Sequence, residues 1–480
     1  MQSKSKILGG AVWSMIHRFG VVLIAFISNI VLARLLTPSD YGCIGMLMIF
    51  ISLANTFIDG GFGSALIQKK EPTQDDYSTI FYWNLLLSFI LYLFLFFLAP
   101  FIAKFYSLDL LSSVLRVQGL VLIINSLSII PQNILRKRLM FKQMACVTLL
   151  SSLLSLLLAI YFAVRGYGVW ALVIQQLSLA SLNAIFYCFC KIWRPTFIFS
   201  KNSFLNLFNF GGYILLSNLL ITFANNVQGI IIGRLFTPVV MGLYTQAKRL
   251  EEVASTTFST VVDQVSYPIL SEVQDDKAKI VDILRKLSIV SAYVCFPIMI
   301  LLIVIAKPLI IFLYSDKWIE CVPYFRILCV AGLVMCIYNL NYFAVAALGK
   351  SKILFKLTIV KRIMSIIFML IGVYFNGVYG LLWGMVLGFY CIYFINAMLS
   401  SFMVGYKFCR QMLDLLPIII LSVLLGLIVW YVGSVVSMNE YLLFFIQSIV
   451  YVLLYIGISF IFKLESFLLL KKVLLQFIKR

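Results

Sequence analysis

The stretch "RLLTPSDYG" occupies residues 34–42, and "RLFTPVVMG" occupies residues 234–242. Each ends one long apolar run and starts the next. From Ile30 to Gly42, six of thirteen residues recur 200 positions later: Ile30, Arg34, Leu35, Thr37, Pro38 and Gly42. The same offset aligns Gln74-Asp75-Asp76 with Gln274-Asp275-Asp276. Two separate matches at one offset point to an internal repeat, not to chance agreement between apolar segments.

The surroundings of the phrase set the class of protein. The 480 residues are 63% hydrophobic and only 12% charged, with a mean hydropathy of +1.05. Soluble domains carry about 25% charged residues, so this chain belongs in a bilayer. Fourteen apolar runs are long enough to span: 10–36, 42–66, 78–103, 110–134, 143–164, 168–192, 208–236, 240–268, 287–313, 319–347, 354–375, 378–403, 412–436 and 441–462. Hydrocarbon cannot satisfy open backbone groups, which leaves helices or a closed barrel. Barrel strands alternate and are about ten residues long; these runs do neither. The expected fold is an all-α integral membrane protein of about 14 transmembrane helices. Six runs separate the two copies, an even number, so both copies point the same way across the bilayer. That is a parallel internal repeat of the kind found in transporters. The expected organisation is a six-helix bundle over 1–200, a second over 201–403, and two extra helices with a basic cytoplasmic tail over 404–480. A substrate path is expected between the bundles, near the midplane.

The net charge of +20 has a similar explanation. With the N-terminus inside, the inner segments hold 25 Lys and Arg residues and the outer loops only six. This is the positive-inside bias, which puts both termini in the cytoplasm and removes the need for a nucleic-acid partner. The N-terminus does not read as a cleaved signal, because His17-Arg18 interrupts the apolar run and no small-residue cleavage site follows. The ten cysteines are scattered through apolar segments, with neither zinc nor disulfide spacing.

Ionisable residues inside spans cost about 2.5–3.5 kcal/mol each on insertion scales and face a cavity by default. They are His17 and Arg18 in span 1, Asp59 in span 2, Arg116 in span 4, and Lys248, Arg249, Glu251, Glu252 and Asp263 in span 8. Arg326 in span 10 and Lys361 and Arg362 in span 11 complete the set. Span 8 says most. Lys248 to Glu252 lie seven to eleven residues beyond Met241, about 10–17 Å at ~1.5 Å per residue. Their repeat-mates, Met48, Ile49, Ile51 and Ser52, are uncharged. The competing reading is a self-neutralised pair, since Lys248–Glu252 and Arg249–Glu252 are at i+4 and i+3 spacing. Snorkelling competes for His17, Arg18, Arg116, Arg326, Lys361 and Arg362, and a plain loop role competes for Asp59. Arg34 and Arg234 end helices, where a cation suits the dipole. The spans total seven basic residues and one histidine against four acids, which suits an anionic substrate.

Catalytic signatures are missing. Gly349-Lys350-Ser351 imitates the end of a P-loop, but Ala344 stands where the pattern needs glycine. With one histidine there is no metal-spaced histidine set, and no metal site is expected. The loops are too short to carry the carboxylates of a membrane glycosyltransferase. Helix capping accounts for the two Gln-Asp-Asp motifs.

The order "LARLLTPSDYG" and then "FIDGGFGSALIQKKEPTQDDYS" resembles the polysaccharide flippases of the multidrug/oligosaccharidyl-lipid/polysaccharide superfamily, strongest over residues 1–110. The resemblance implies two V-shaped bundles, alternating access, and translocation of undecaprenyl-diphosphate-linked oligosaccharides across the bacterial cytoplasmic membrane for O-antigen or exopolysaccharide export. It implies basic residues against the diphosphate, for which Arg18, Arg116, Lys248, Arg249, Lys361 and Arg362 are the candidates. Span 2 lacks the basic residue the family uses there. Coupling to Na+ or H+ would fall to Glu251, Glu252 or Asp59; no other cofactor is expected. The expected partners are the lipid-linked oligosaccharide, the bilayer and polysaccharide polymerase machinery, with the protein a monomer. A multidrug or cation antiporter of the same superfamily and a non-transporting membrane enzyme of polysaccharide synthesis are the alternatives.

Overall fold

A computed structural model describes residues 2–435 and 439–478. The helices, in order, are α1 (Gln2–Leu35), α2 (Pro38–Asp59), α3 (Phe62–Gln68), α4 (Gln74–Tyr106), α5 (Leu110–Gln118), α6 (Leu120–Lys137), α7 (Phe141–Val164), α8 (Val169–Phe189) and α9 (Lys201–Leu235). They continue with α10 (Pro238–Glu272), α11 (Lys277–Val304), α12 (Ala306–Tyr314), α13 (Cys321–Ala347), α14 (Ser351–Met403), α15 (Phe408–Val435), α16 (Glu440–Ile461) and α17 (Glu465–Ile478). The protein is an all-α, multi-pass membrane protein. Among the described residues, 11 stretches are long and apolar enough to cross a membrane. The charged α10 and the two halves of α14, broken at Asn376–Gly377, add three. Fourteen spans result, as the sequence predicts.

Boundaries differ from the apolar runs where the backbone has its own reasons. Span 4 is α5 and α6, divided at Gly119, and span 9 is α11 and α12, divided at Ile305. The basic tail is not featureless: α17 occupies it, although Lys479 and Arg480 lie outside the described residues.

The chain forms two compact units, Met1–Gly242 and Leu243–Arg480. The boundary falls one span later than residue 200, because α9 packs along α2, α3 and α4. In the first unit α1 packs on α7, α7 on α8, and α4 on α5 and α6. A buried cluster of Phe62, Ala65, Leu66, Ile80, Ile130, Ile134 and Leu207 fills one end. In the second unit α13 packs on α11 and α14, and α15 joins α11 to α16.

The repeated phrase now has a physical reading. Thr37 caps α2: its N–H donates to Asp40 Oδ2 at 2.9 Å, and its hydroxyl accepts from the Asp40 N–H at 3.4 Å. Pro38 sits at the first helical position, where a missing N–H costs nothing. Thr237 accepts from the Val240 N–H at 3.4 Å, the same cap without the reciprocal carboxylate. Glycine ends the phrase because the copies touch. A Cβ on Gly42 would lie 1.8 Å from the Pro238 carbonyl oxygen, and one on Gly242 would lie 1.8 Å from the Pro38 carbonyl oxygen. Such reciprocity is what a two-fold relation between copies requires.

From this point α9 runs antiparallel along α2. A Cβ on Gly61 would meet the Gly211 carbonyl at 2.3 Å, and the Thr56 and Thr222 hydroxyls are 3.1 Å apart. In lipid, helices gain little from apolar burial against one another and pack through small residues instead. The acidic motif is used differently in its two copies. Thr73 caps α4, with its N–H donating to Asp76 at 2.8 Å and Lys69 pairing with Asp76 at 2.6 Å. In the second copy Asp276 is itself the cap of α11, accepting from the Lys279 N–H at 3.1 Å. That bond holds the Asp276 carboxyl below the usual carboxylate range.

These contacts predict opposite outcomes for two glycine substitutions. Gly42→Ala drives a methyl into a carbonyl and should lower the thermal midpoint of the purified protein by several degrees. Gly457→Ala, in α16 with nothing within 4 Å, should be neutral or stabilising by about 0.5–1 kcal/mol. Equal midpoints would refute the contact.

Candidate functional site

In the first unit, α1 carries a half-buried His17 and an exposed Arg18. Asp59 ends α2, half-buried, where Gly63 leaves room for it; a Cβ there would lie 3.1 Å from Asp59 Oδ1. Arg136, which the sequence marks only as a loop charge, acts electrostatically on both His17 and Asp59. Arg116 is turned to a neighbouring helix. Its Nε donates to the Phe96 carbonyl at 3.4 Å, and its guanidinium lies 4.6 Å from the Phe96 ring centre. Arg326 does the same in the second unit, donating from Nε to the Ile303 carbonyl at 3.2 Å. Each ties its helix to the preceding span, so both have a structural task. Arg234 likewise donates to the Phe105 carbonyl and lies over the Phe105 ring at 5.1 Å.

In the second unit, α10 presents its charges in different directions. Lys248 Nζ is 3.8 Å from Glu252 Oε1, the anticipated i+4 pair, and 5.9 Å from the Tyr244 ring centre. Arg249 is exposed. Glu251, one step of about 100° around the helix from Glu252, is only 4% exposed. Its Oε1 has no hydrogen-bond partner among the described residues. It is aimed at α11 and α13: a Cβ on Gly332 would stand 2.8 Å from that oxygen and 2.8 Å from Met299 Sδ. Spacing alone does not separate Glu251 from Glu252, because burial depends on which face the neighbouring helices cover. Asp263 accepts from Asn339 Nδ2 at 2.9 Å.

Lys361, on the first half of α14, is 4% exposed. Its Nζ donates to Asn396 Oδ1 at 2.5 Å, and Asn396 Nδ2 donates onward to the Tyr338 carbonyl at 3.0 Å. The Tyr342 ring lies 5.9 Å away. Among the described residues Lys361 forms no ion pair, so a neutral amide and a ring face are what compensate this buried cation. Arg362 is half-buried beside it. The two halves of α14 can be close because glycines line them: a Cβ on Gly384 would stand 2.3 Å from the Phe368 carbonyl. Sequence reasoning missed Asn396, Asn339 and Gly332. An asparagine inside an apolar span is the signal that would have found the first two, since its amide needs a partner there.

The arrangement offers a second unit in which, among the described residues, a buried lysine lacks a carboxylate and one oxygen of a buried carboxyl lacks a hydrogen bond. The model of the family described as "Polysaccharide biosynthesis protein" matches residues 31–323. The chain is 26% identical over 355 residues to the teichuronic acid biosynthesis protein TuaB of Bacillus subtilis, covering 73% of each chain. It is 24% identical over 451 residues to the lipopolysaccharide biosynthesis protein WzxC of Escherichia coli, covering 89% of each. Among solved structures, the lipid II flippase MurJ in an inward closed conformation superposes with a TM-score of 0.77 at 16% identity, over 94% of this chain and 98% of that one. An inward-facing multidrug resistance transporter of the MATE family gives 0.64 at 16% identity, over 82% and 98%. These likenesses extend the scaffold over almost the whole chain.

The Lys361–Asn396 bond has a stability signature. Asn396→Leu leaves a buried ammonium without its acceptor and should destabilise by about 2–3 kcal/mol. Lys361→Met removes the charge with the need for it and should be near neutral or stabilising. Thermal unfolding of the two purified variants checks this, and equal losses would contradict it.

Proposed function

The chain belongs to the polysaccharide biosynthesis protein family, and from that premise we propose that it is a flippase for lipid-linked oligosaccharides. Its substrate class is the undecaprenyl-diphosphate-linked repeat unit of a surface polysaccharide, passed across the cytoplasmic membrane by alternating access. The observation that carries this reading is Lys361, a buried cation that bonds to the amide of Asn396, lies over the Tyr342 ring and forms no ion pair among the described residues. Keeping a cation in a span is costly unless an anion compensates it. A diphosphate brings about two negative charges, and charge-assisted bonds to phosphate are among the strongest available. Arg362, Lys248 and Arg249 of the same unit add positive charge for the same anion. Relatives named for teichuronic acid and lipopolysaccharide biosynthesis support the polysaccharide destination. The fold, which superposes on that of the lipid II flippase MurJ, supports transport of a lipid-linked substrate over catalysis.

The antiporter reading shares the scaffold. Four acids against seven basic residues and a histidine in the spans speak for an anion rather than a drug cation. The lysine and arginine bias of the loops puts both termini in the cytoplasm. For coupling, Glu251 is the favoured group. A proton or a sodium ion on its unpartnered oxygen relieves the cost of burying it.

Deletion in the parent bacterium should accumulate lipid-linked repeat units and abolish surface polysaccharide. Complementation with Arg249→Ala or Lys361→Met should fail at normal membrane levels, and Arg249→Lys should restore part of the export. Full export from both charge-removing variants would eliminate the anion seat. Glu251→Gln should flatten the dependence of export on the ion gradient, whereas Glu252→Gln, half-exposed and paired with Lys248, should change it less. An unaltered gradient dependence in Glu251→Gln would remove that carboxyl from the cycle.

A further inference from the structure

The tail helix α17 is held to the second unit by a charged latch. After α16 the chain turns sharply: Lys463 has a φ of 46°, and the Leu464 N–H donates to the Ser459 carbonyl at 3.2 Å. Arg285 of α11 then donates to both oxygens of Glu465 at 2.7 Å and, through Nε, to Asp414 at 3.0 Å. Asp414 also accepts from the Tyr406 hydroxyl at 2.7 Å. The guanidinium holds the Glu465 carboxyl below the usual range.

The sequence of α17, "ESFLLLKKVLLQFI", is amphipathic. Nine of its fourteen residues are apolar, and the others are Glu465, Ser466, Lys471, Lys472 and Gln476. That pattern suits a helix lying in the membrane interface. Phe467 and Leu470 face inward, while Leu468 remains 43% exposed.

Between α11, α16 and α17 runs a groove of about 270 Å³, lined by Tyr293, Pro297, Tyr451, Tyr455, Phe467 and Leu470 among others. The hydroxyls of Tyr451 and Tyr455 are taken up by backbone carbonyls. Tyr455 donates to the Tyr293 carbonyl at 3.1 Å, and Tyr451 donates to the Ser422 carbonyl at 3.1 Å. The lining is therefore hydrocarbon and ring surface. Lys471 follows the groove-lining Leu470, Lys463 sits at the turn that begins the helix, and both are exposed. An acyl chain matches the groove, and a phosphate matches the lysines.

We propose that α17 and this groove form a binding site for an anionic phospholipid of the leaflet at the C-terminal end of α16, with one acyl chain in the groove and the headgroup phosphate against Lys463 and Lys471. That leaflet is cytoplasmic by the orientation proposed above; the site itself does not depend on what the protein transports. It uses α16 and α17, which lie outside the six-helix repeat.

The test is thermal unfolding of the full-length, delipidated protein in detergent, titrated with phosphatidylglycerol, with phosphatidylcholine of the same acyl chains, or with glycerol 3-phosphate. Phosphatidylglycerol should stabilise at the lowest concentration, and glycerol 3-phosphate should do nothing. Lys463→Gln and Lys471→Gln should each raise the half-saturating phosphatidylglycerol concentration about fivefold and leave the phosphatidylcholine response unchanged. Val452→Trp, which fills the groove, should remove both responses. Should that variant fail to fold, phosphorus analysis of lipid carried through purification gives the same comparison between the unaltered protein and the lysine variants. Equal stabilisation by both lipids without a lysine effect, stabilisation by glycerol 3-phosphate alone, or no stabilisation by any lipid would overturn the site. Because the readout is binding, a wrong transport substrate would leave the result intact.

Discussion

The contact between Pro38 and Gly242, repeated between Pro238 and Gly42, is the constraint on which the other features of the first unit depend. A carbonyl oxygen rests where a Cβ would lie only 1.8 Å away, so no residue but glycine can occupy either position. Once the backbones meet this closely, α9 is committed to run along α2, and the small residues further along keep the two helices close. Gly61 against Gly211 and Thr56 against Thr222 are consequences of that first meeting. In a bilayer, where lipid is as apolar as leucine, such close approach and its dispersion contacts replace the hydrophobic term that joins helices in water.

The charges inside the spans divide into those with structural tasks and those available for function. Arg116 and Arg326 answer each other across the repeat, each donating to a carbonyl of the preceding span. Lys248 has Glu252 nearby. Lys361 and Glu251 are different: among the described residues one is a buried cation with an amide and a ring but no ion pair, the other a buried carboxyl with one unpartnered oxygen. Protein interiors rarely leave such groups incompletely satisfied without a use for them. Both lie in the second unit, so the repeat is symmetric in scaffold and asymmetric in chemistry.

Polar links also run in series through the second unit. Asn341 donates to Gln411 at 3.2 Å, Gln411 to the Tyr406 carbonyl at 2.8 Å, Tyr406 to Asp414, and Arg285 to Asp414 and Glu465. Span 10, span 13, span 9 and the tail helix are thereby joined. In low dielectric such a series strengthens each member and penalises any gap. The tail is accordingly a built part of the unit and not a trailing basic segment.

The sequence by itself determined the membrane class, the number of spans and the internal repeat. Each of these rests on a local quantity: apolar run length, and residue identity at a fixed offset. It also determined the cap at Asp276, which acts on an N–H group within one helical turn of itself. Tertiary structure decided the rest. Gly42 reads as an ordinary span residue until Pro238 is laid against it. Glu251 and Glu252 are adjacent and identical in type, and the packing around α10, with Gly332 beside the Glu251 oxygen, buries the first and leaves the second half-exposed. Arg116 and Lys361 read alike as basic residues near helix ends; packing left the first half-buried on a backbone carbonyl and a ring, and buried the second on a side-chain amide and a ring. Burial and partnership belong to the space between helices, which residues far apart in sequence create together, so they become visible only when the chain is folded.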